Sequence, residues 1–478
     1  MPTSPPTTMR WFAFAVLLAG AFLPPVDFFI VNVALSSIHD SLPSGPAEVQ
    51  LVISGYAAGY AVFLITGGRL GDLYGRRACY LIGMVAFALT NLACGIAMTM
   101  TQLVIARVFQ GMVAAMLVPQ VLASIRAIYD EERALARALS VYGMMMGLAA
   151  AIGQFAGGAL VQLNLFDLGW RTIFLIKVPI CLVTLVAGWK TVPETSGGQR
   201  VQLDLVGAAL ISLALAAVVV PLSQGRQHGW PLWIFLAMGC APILTAAFLW
   251  HERRLARLGG MPLVDMRLFA IPSFRRGVLV SILFFFTTSF YFLFGIYQQQ
   301  GRGVAPMQTG MAILPYGIGL FLGPLLTGRM VRLRPHLLSL GMGVQVAGYA
   351  LVGLFVALGW AGWELSAVVF LAGFGQGIAF PRLYNVVLAG VPPAQAGVAS
   401  GIMNSALQMG AAASAAAIGS LFIELLNDGT GERAFAFAFS IAQWTLTAAL
   451  AVAMVMAIPA SRPRQRAGAP SPTPSRGG

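Results

Sequence analysis

Charge is scarce in this chain: only 9% of its 478 residues are Asp, Glu, Lys or Arg. Soluble domains carry about 25%, so a water-soluble globular protein is excluded. Cysteine is also rare, and Cys79, Cys94, Cys181 and Cys240 all fall in apolar stretches. That usage argues against a disulfide framework and for buried free thiols. The four histidines, His39, His228, His251 and His336, lie between apolar stretches without metal-ligand spacing. "HERR" at 251–254 is not H-E-x-x-H, so no zinc protease and no metal site is expected. A phosphate-binding loop needs Gly-Lys-Ser/Thr, whereas the single Lys-Thr pair, Lys190–Thr191, follows Trp189. No short apolar region with a small-residue cleavage site precedes the first long run, so no removable signal peptide is expected. Nothing implies an enzyme or a cofactor.

What the chain has instead is apolar length. It is 58% hydrophobic with a mean hydropathy of +0.81. Fourteen runs are each long enough to cross a bilayer: 11–37, 48–68, 78–98, 101–127, 136–160, 172–190, 204–222, 232–250, 274–299, 307–328, 336–358, 364–387, 396–425 and 434–458. The expected fold is an all-α integral membrane protein. Pro24 and Pro25 inside the first run predict a kink or break there.

The net charge of +13 is arranged by topology. With the N-terminus inside, inner loops and tails hold 22 of the basic residues, and outer loops hold Arg171, Arg226, Arg302 and Arg433. Arg107, Lys177 and Arg382 remain within helices. This bias predicts a multi-pass protein of the plasma membrane with both termini cytoplasmic. A nucleic-acid partner would need a basic, aromatic-studded face on a soluble domain, which the chain lacks.

An internal repeat organises the runs. "VFQGMVAAMLVPQVL" in the fourth resembles "GFGQGIAFPRLYNVVL" in the twelfth, matching Gln110–Gly111 to Gln376–Gly377. "MGLAAAIG" (146–153) echoes "MGAAASAAAIG" (409–419), and "GGRLGDLYGRR" (67–77) has a degenerate counterpart, "TGRMVRLRP" (327–335). Two pseudo-symmetric six-helix bundles with an extra central helix pair follow: 1–191, a linker at 192–260 holding the pair, 261–459, and a disordered cytoplasmic tail at 460–478. Such repeats suit alternating access around a midplane site.

At these residues the chain resembles the major facilitator superfamily, in particular its fourteen-helix drug:proton antiporter branch. Gly68, Asp72, Gly75, Arg76 and Arg77 match that family's loop motif after helix 2, with Leu73 where a basic residue is usual. "DFFIVNVALSSI" (27–38) is similar to the branch's first-helix pattern, with Asp27 and Asn32 in register. "RVFQG" (107–111) is similar to its fourth-helix motif, with Val113 where glycine is usual, and "WRTIFLIKVPI" (170–180) resembles a further marker with Lys177 replacing asparagine. The fifth-helix G-P-x-x-G-G motif stands as "GQFAGG" (153–158), with Gln154 for proline. Because that motif is associated with exporters, Gln154 leaves the transport direction open.

The resemblance implies a proton-coupled efflux antiporter for amphipathic compounds. In the 67–77 loop, Asp72 with its glycines and arginines reads as a latch between bundles that forms in one state. Intramembrane charges default to function. Asp27 lies about 24 Å and Arg107 about 21 Å from the inner face at 1.5 Å per residue. The two can meet, with Gln110 one turn from Arg107, as a proton-coupling pair. Lys177 and Arg382 read as structural residues reaching an interface. Substrate candidates are Asn32, Gln110, Gln154, Tyr291, Tyr297, Gln298, Asn404 and Gln408, in a cavity between helices 1, 4, 5, 9 and 13. Expected partners are a small-molecule substrate, protons and membrane lipids, with anionic lipids meeting the arginines of 251–273, and the chain is expected to be a monomer. Two further readings stay open, a dedicated transporter of one metabolite and a non-transporting sensor on the same fold.

Overall fold

The computed structural model describes residues 7–461 except 45, 130, 195–203, 225–228, 230, 259, 261–265, 328–335, 389, 393–394, 427–428 and 430. The repeat partner loop at 327–335 and the expected tail therefore fall largely outside the described residues, as do His228 and Arg226. Every regular element among the described residues is helical, the solution hydrocarbon imposes on a backbone that must satisfy its own polar groups. In chain order they are α1 (Thr7–Ser41), α2 (Pro46–Tyr74), α3 (Arg76–Gly95), α4 (Met100–Ile128), α5 (Glu132–Leu163), α6 (Gly169–Thr191), α7 (Leu205–Gln224), α8 (Leu232–Arg257), α9 (Pro272–Gly301), α10 (Pro306–Thr327), α11 (Leu337–Ala357), α12 (Trp363–Leu388), α13 (Ala396–Leu426) and α14 (Glu432–Ser461). Eleven of these segments are long and apolar enough to cross a membrane. With α2, α7 and α10 the order is consistent with fourteen spans.

Packing repeats as the sequence does. In the first bundle α4 lies against α2 and α3, α1 against α4, α5 and α6, and α3 against α6. In the second, α12 lies against α10 and α11, α9 against α12, α13 and α14, and α11 against α14. Each contact of the first bundle recurs eight helices later. The bundles meet along α5–α10 and α2–α13, which that same relation exchanges. The repeated Gln-Gly pair has a physical reason. A Cβ on Gly111 would overlap the carbonyl oxygen of Tyr56 in α2, and one on Gly377 would sit 2.6 Å from the carbonyl oxygen of Leu320 in α10. Both glycines let two backbones touch.

Three local expectations change. α1 runs unbroken through Pro24 and Pro25, with the carbonyl of Pro24 accepting a bond from the Tyr56 hydroxyl at 3.3 Å; neighbouring helices re-satisfy the backbone around such prolines. The motif at 67–77 is mostly helix rather than loop: α2 continues to Tyr74, and α3 starts at Arg76. Gly75 alone makes the joint, at φ 90°, a conformation that costs glycine little. α9 is not one regular helix. It has a 3-10 turn at Phe286–Thr288 and a π-helical end at Tyr297–Gly301. Buried Ser414 of α13 donates to the carbonyl of Phe286 and lies 2.7 Å from the Ser289 hydroxyl, so the neighbouring helix supports the break.

The extra pair, α7 and α8, pack on each other, and α7 also touches α2 and α13, one from each bundle. Asp204 caps α7, accepting from the Gly207 amide at 2.8 Å, and lies 2.8 Å from His251 Nε2 near the end of α8. Burial opposes the charge on Asp204, but the Gly207 amide, His251 and Glu252 together outweigh it and hold the carboxyl below its usual range. Cys79, Cys94 and Cys181 are buried free thiols, whereas Cys240 is exposed on the outer face of α8.

Candidate functional site

The site grows from the sparse charges of the first bundle. Asp27 on α1, Arg107 on α4 and Lys177 on α6 are each no more than 2% exposed and meet at one point. Arg107 Nη1 pairs with Asp27 Oδ2, and Lys177 Nζ pairs with Asp27 Oδ1. Gln110, one turn from Arg107, donates to Asp27 Oδ1 at 3.2 Å and accepts from Arg107 Nη1 at 2.7 Å. Arg107 Nε donates to the carbonyl of Val52 on α2 at 2.9 Å, and its guanidinium lies 4.4 Å from the Tyr56 ring centroid. Lys177 lies 4.8 Å from the Phe174 ring centroid. Cys94 of α3 donates weakly to Gln110 Oε1 at 3.6 Å.

Lys177 is therefore not an interface residue. It is drawn inward because a buried carboxylate offers more than the membrane surface does. Sequence reasoning missed it by weighing its nearness to a helix start above its departure from the family's asparagine. Arg382 is half-buried on α12 and engaged by a neighbour.

Between the bundles lies a cavity of about 30 Å³, room for one or two waters, whose lining includes Phe28, the residue after Asp27, and Ile53, the residue after Val52. Both bundles line it: Phe28 and Asn32 from α1, Ile53, Ser54 and Ala57 from α2, Thr288, Ser289 and Phe292 from α9, and Ala411 and Ala415 from α13. Of the substrate candidates, Asn32 lines it. Among the described residues α4 and α5 do not contribute; α2 does.

The other candidates are dispersed. Tyr291 packs between Phe29 of α1 at 4.7 Å and Tyr316 of α10 at 5.1 Å, joining the bundles. Tyr297 stacks on Phe439 inside the second bundle at 5.2 Å, and Gln298 accepts from Arg302 at 2.8 Å. Asn404 accepts from the Tyr384 hydroxyl at 2.5 Å, and Gln408 is half-buried on the same helix. Gln154 is buried, with its Nε2 lacking a partner among the described residues, and its carbonyl oxygen would be 2.7 Å from a Cβ on Gly310.

The glycines around Gln154 explain its motif. A Cβ on Gly157 would sit 2.6 Å from the carbonyl oxygen of Ile30 in α1, and one on Gly158 would sit 2.6 Å from that of Pro306 at the start of α10. The motif seats α5 between its own bundle and the other. In the 67–77 motif, Gly68 lies in α2, Arg76 donates to the carbonyl of Ala123 on α4 at 3.3 Å, and Arg77 donates to that of Trp189 on α6 at 2.5 Å. A Cβ on Gly75 would lie 2.9 Å from Glu194 Oε1. These bonds lie within the first bundle, and the Asp72 side chain falls outside the described residues.

At the position the repeat pairs with Gln110, Gln376 accepts from the Tyr316 hydroxyl at 2.5 Å. That hydroxyl lies 2.9 Å from the Tyr349 hydroxyl, which donates to the carbonyl of Thr287 at the break in α9. The first bundle thus carries charges where the second carries neutral hydroxyls.

The family model described as Major Facilitator Superfamily matches residues 17–415. The chain belongs to the major facilitator superfamily. It is 32% identical over 428 residues to the "Probable actinorhodin transporter" of Streptomyces coelicolor, covering 88% of this chain and 74% of that one. It is also 32% identical over 436 residues to "Puromycin resistance protein pur8" of Streptomyces alboniger, covering 88% and 82%. A bacterial homologue of the human lysosomal transporter Spinster, solved inward-facing and unoccupied, superposes with a TM-score of 0.66 at 16% identity, covering 96% of this chain and 98% of that one. The superfamily fold accounts for the eight-helix repeat of contacts, and its members are transporters rather than enzymes.

Proposed function

We propose that this chain is a proton-driven efflux antiporter for amphipathic organic compounds, working by alternating access in the plasma membrane with both termini cytoplasmic. One observation carries the reading: a fully buried charged cluster, Asp27–Arg107–Lys177, is anchored on α1, which also lines a cavity between the bundles through Phe28 and Asn32. Buried charges in a membrane are costly and persist for a purpose, and a site between repeats is where alternating access acts. The relatives named for resistance and for transport of small organic molecules support export, and the excess of basic residues on one set of loops supports the orientation. The boundaries 1–191, 192–260, 261–459 and 460–478 follow from the same division, and a monomer suffices because each chain holds both repeats. Asn32 meets substrate first, and Tyr291 and Asn404 join as the bundles part. Tyr297, Gln298 and Gln408 enter only on a larger rearrangement of the second bundle. Gln154, buried at the α5–α10 seam, tunes that rearrangement.

The test is reconstitution in liposomes with an imposed pH gradient and a fluorescent pH reporter, using puromycin and ethidium as probes. Addition of a transported probe is expected to dissipate the gradient, and labelled probe to accumulate against its own concentration gradient. Probe movement that ignores the pH gradient would overturn proton coupling; absence of any movement across a wide panel would favour the sensor reading.

The motif at 67–77 acts here as a state-dependent latch. Asp72→Asn is expected to lower the transport rate at least about tenfold, as a lost charged hydrogen bond of about 1.5–3 kcal/mol allows, while abundance stays near normal. A wild-type initial rate for this variant would reduce the motif to a topology signal.

A further inference from the structure

We infer that Lys177, rather than Asp27, is the side chain that takes up and releases the transported proton. The inference rests on the proton-driven reading above and deepens it.

Hydrogen bonding supplies the first argument. Asp27 Oδ2 accepts from Arg107, and Asp27 Oδ1 accepts from Gln110 and is paired with Lys177. Both carboxylate oxygens already face N–H donors, two at Oδ1 and the Arg107 guanidinium at Oδ2, so a proton on either would weaken a charged pair. A carboxylate so held is an acceptor only. Asp27 is the fixed anion of the site.

Charge counting supplies the second. With Asp27 ionised and both bases protonated, the buried cluster carries one net positive charge, and protonating Asp27 would raise that to two. If Lys177 releases its proton, the cluster is neutral, and it returns to one positive charge on uptake. Each additional uncompensated charge in a dry interior is expensive. The cycle through Lys177 alternates between the two least costly states. Arginine does not give up its proton in proteins, so Arg107 cannot serve. Lysine can, because burial readily shifts its ammonium to the amine.

Among the described residues the surroundings offer no competing carrier. Facing the cluster are Tyr56 on α2, whose ring lies against Arg107, and Cys94 on α3, bonded to Gln110. Cys181 lies one turn along α6 from Lys177. Tyr and Cys release protons only to become anions, which would pair with the bases and lock the site. Helix α5 presents no charged side chain to Lys177 among the described residues. In the step itself, the ammonium of Lys177 gives one proton to water reaching the site from the cytoplasmic side and becomes the amine. It takes one from water when the site opens to the other side. No bond other than N–H and O–H changes.

The chain has two lysines, Lys177 and Lys190, which makes a direct test practical. In a Lys190→Arg background, lysine labelled with 15N at Nζ yields one resonance in lipid nanodiscs. We expect that resonance to pass from ammonium to amine as pH rises, before the range in which a free lysine does so. A signal that stays ammonium throughout overturns the assignment without any substrate. In liposomes, Lys177→Arg (a permanent cation) and Lys177→Met (permanently neutral) are expected to lose probe-linked proton movement completely. Lys177→Met should keep downhill puromycin exchange. Proton movement at the wild-type rate in either variant overturns the inference alone. Failure of the wild type to move protons with any probe overturns the exporter reading and this one together, so the two failures are told apart by the wild-type control.

Discussion

Asp27→Asn is expected to abolish gradient-driven transport and to destabilise the folded transporter by about 3–5 kcal/mol, the cost of removing one partner from a buried ion pair. Two cations, Arg107 and Lys177, converge on this carboxylate with no more than 2% of any of the three side chains exposed. Asparagine nearly matches the volume and keeps an acceptor, but leaves both cations without an anion. The measurement is paired: thermal unfolding in detergent and proton movement in liposomes. The double variant Asp27→Asn/Lys177→Met removes one cation with the anion and leaves Arg107 unpaired, so it should regain part of the unfolding midpoint while staying uncoupled, with some downhill exchange. A single variant that keeps both wild-type stability and proton movement would show that Asp27 is not the counter-ion of the site.

Gly111→Val should be more damaging still to yield. Its Cβ would overlap the backbone oxygen of Tyr56, and the equivalent atom on Gly377 would meet that of Leu320. Neither neighbour is the movable end of a side chain, so α2 and α4, or α10 and α12, must separate along their length. Overpacking typically costs about 1–3 kcal/mol and more where backbone must shift; about 3 kcal/mol or more is expected at each glycine. Gly239→Ala on α8, with open space around its Cβ, serves as the control and should be neutral or slightly stabilising through helix propensity. Folded yield measured by fluorescence-detected size exclusion separates these cases. Normal yield of Gly111→Val would mean the α2–α4 contact is looser than described.

The all-helical class, the helix order and the twofold repeat were legible because each rests on local sequence: apolar length and a repeated Gln-Gly pair. The irregularity of α9 was not, because "FFFTTSF" reads as continuous helix. What permits the 3-10 turn is Ser414, more than 120 residues away in sequence, and periodicity carries no information about such a partner. The same limit hid the lining of the cavity: Ser54, Thr288 and Ser289 are ordinary helix residues until α2 and α9 face one another. The extension of α2 through Asp72 to Tyr74 was missed because polar residues near a span end look like loop, while Gly75 alone provides the turn. Lys177 marked itself by departing from the usual residue, but depth estimated from the nearest helix end could not reveal that α6 turns it toward Asp27.

The unequal polarity of the two bundles bears on how such a protein changes over time. The buried charged residues Asp27, Arg107 and Lys177 all belong to α1–α6, whereas Gln376, at the position the repeat pairs with Gln110, forms with Tyr316 and Tyr349 a neutral network beside the break in α9. A hydroxyl network tolerates rewiring, since swapping one uncharged donor for another strands no ion. If Asp27, Arg107 and Lys177 drive transport as proposed, selection for a new cargo can work on the C-terminal half, residue by residue, while they stay untouched. Gene fusion joining that N-terminal half to another member's C-terminal half would exchange the α9 and α13 side of the cavity and leave Asn32, Ser54 and the charged cluster in place.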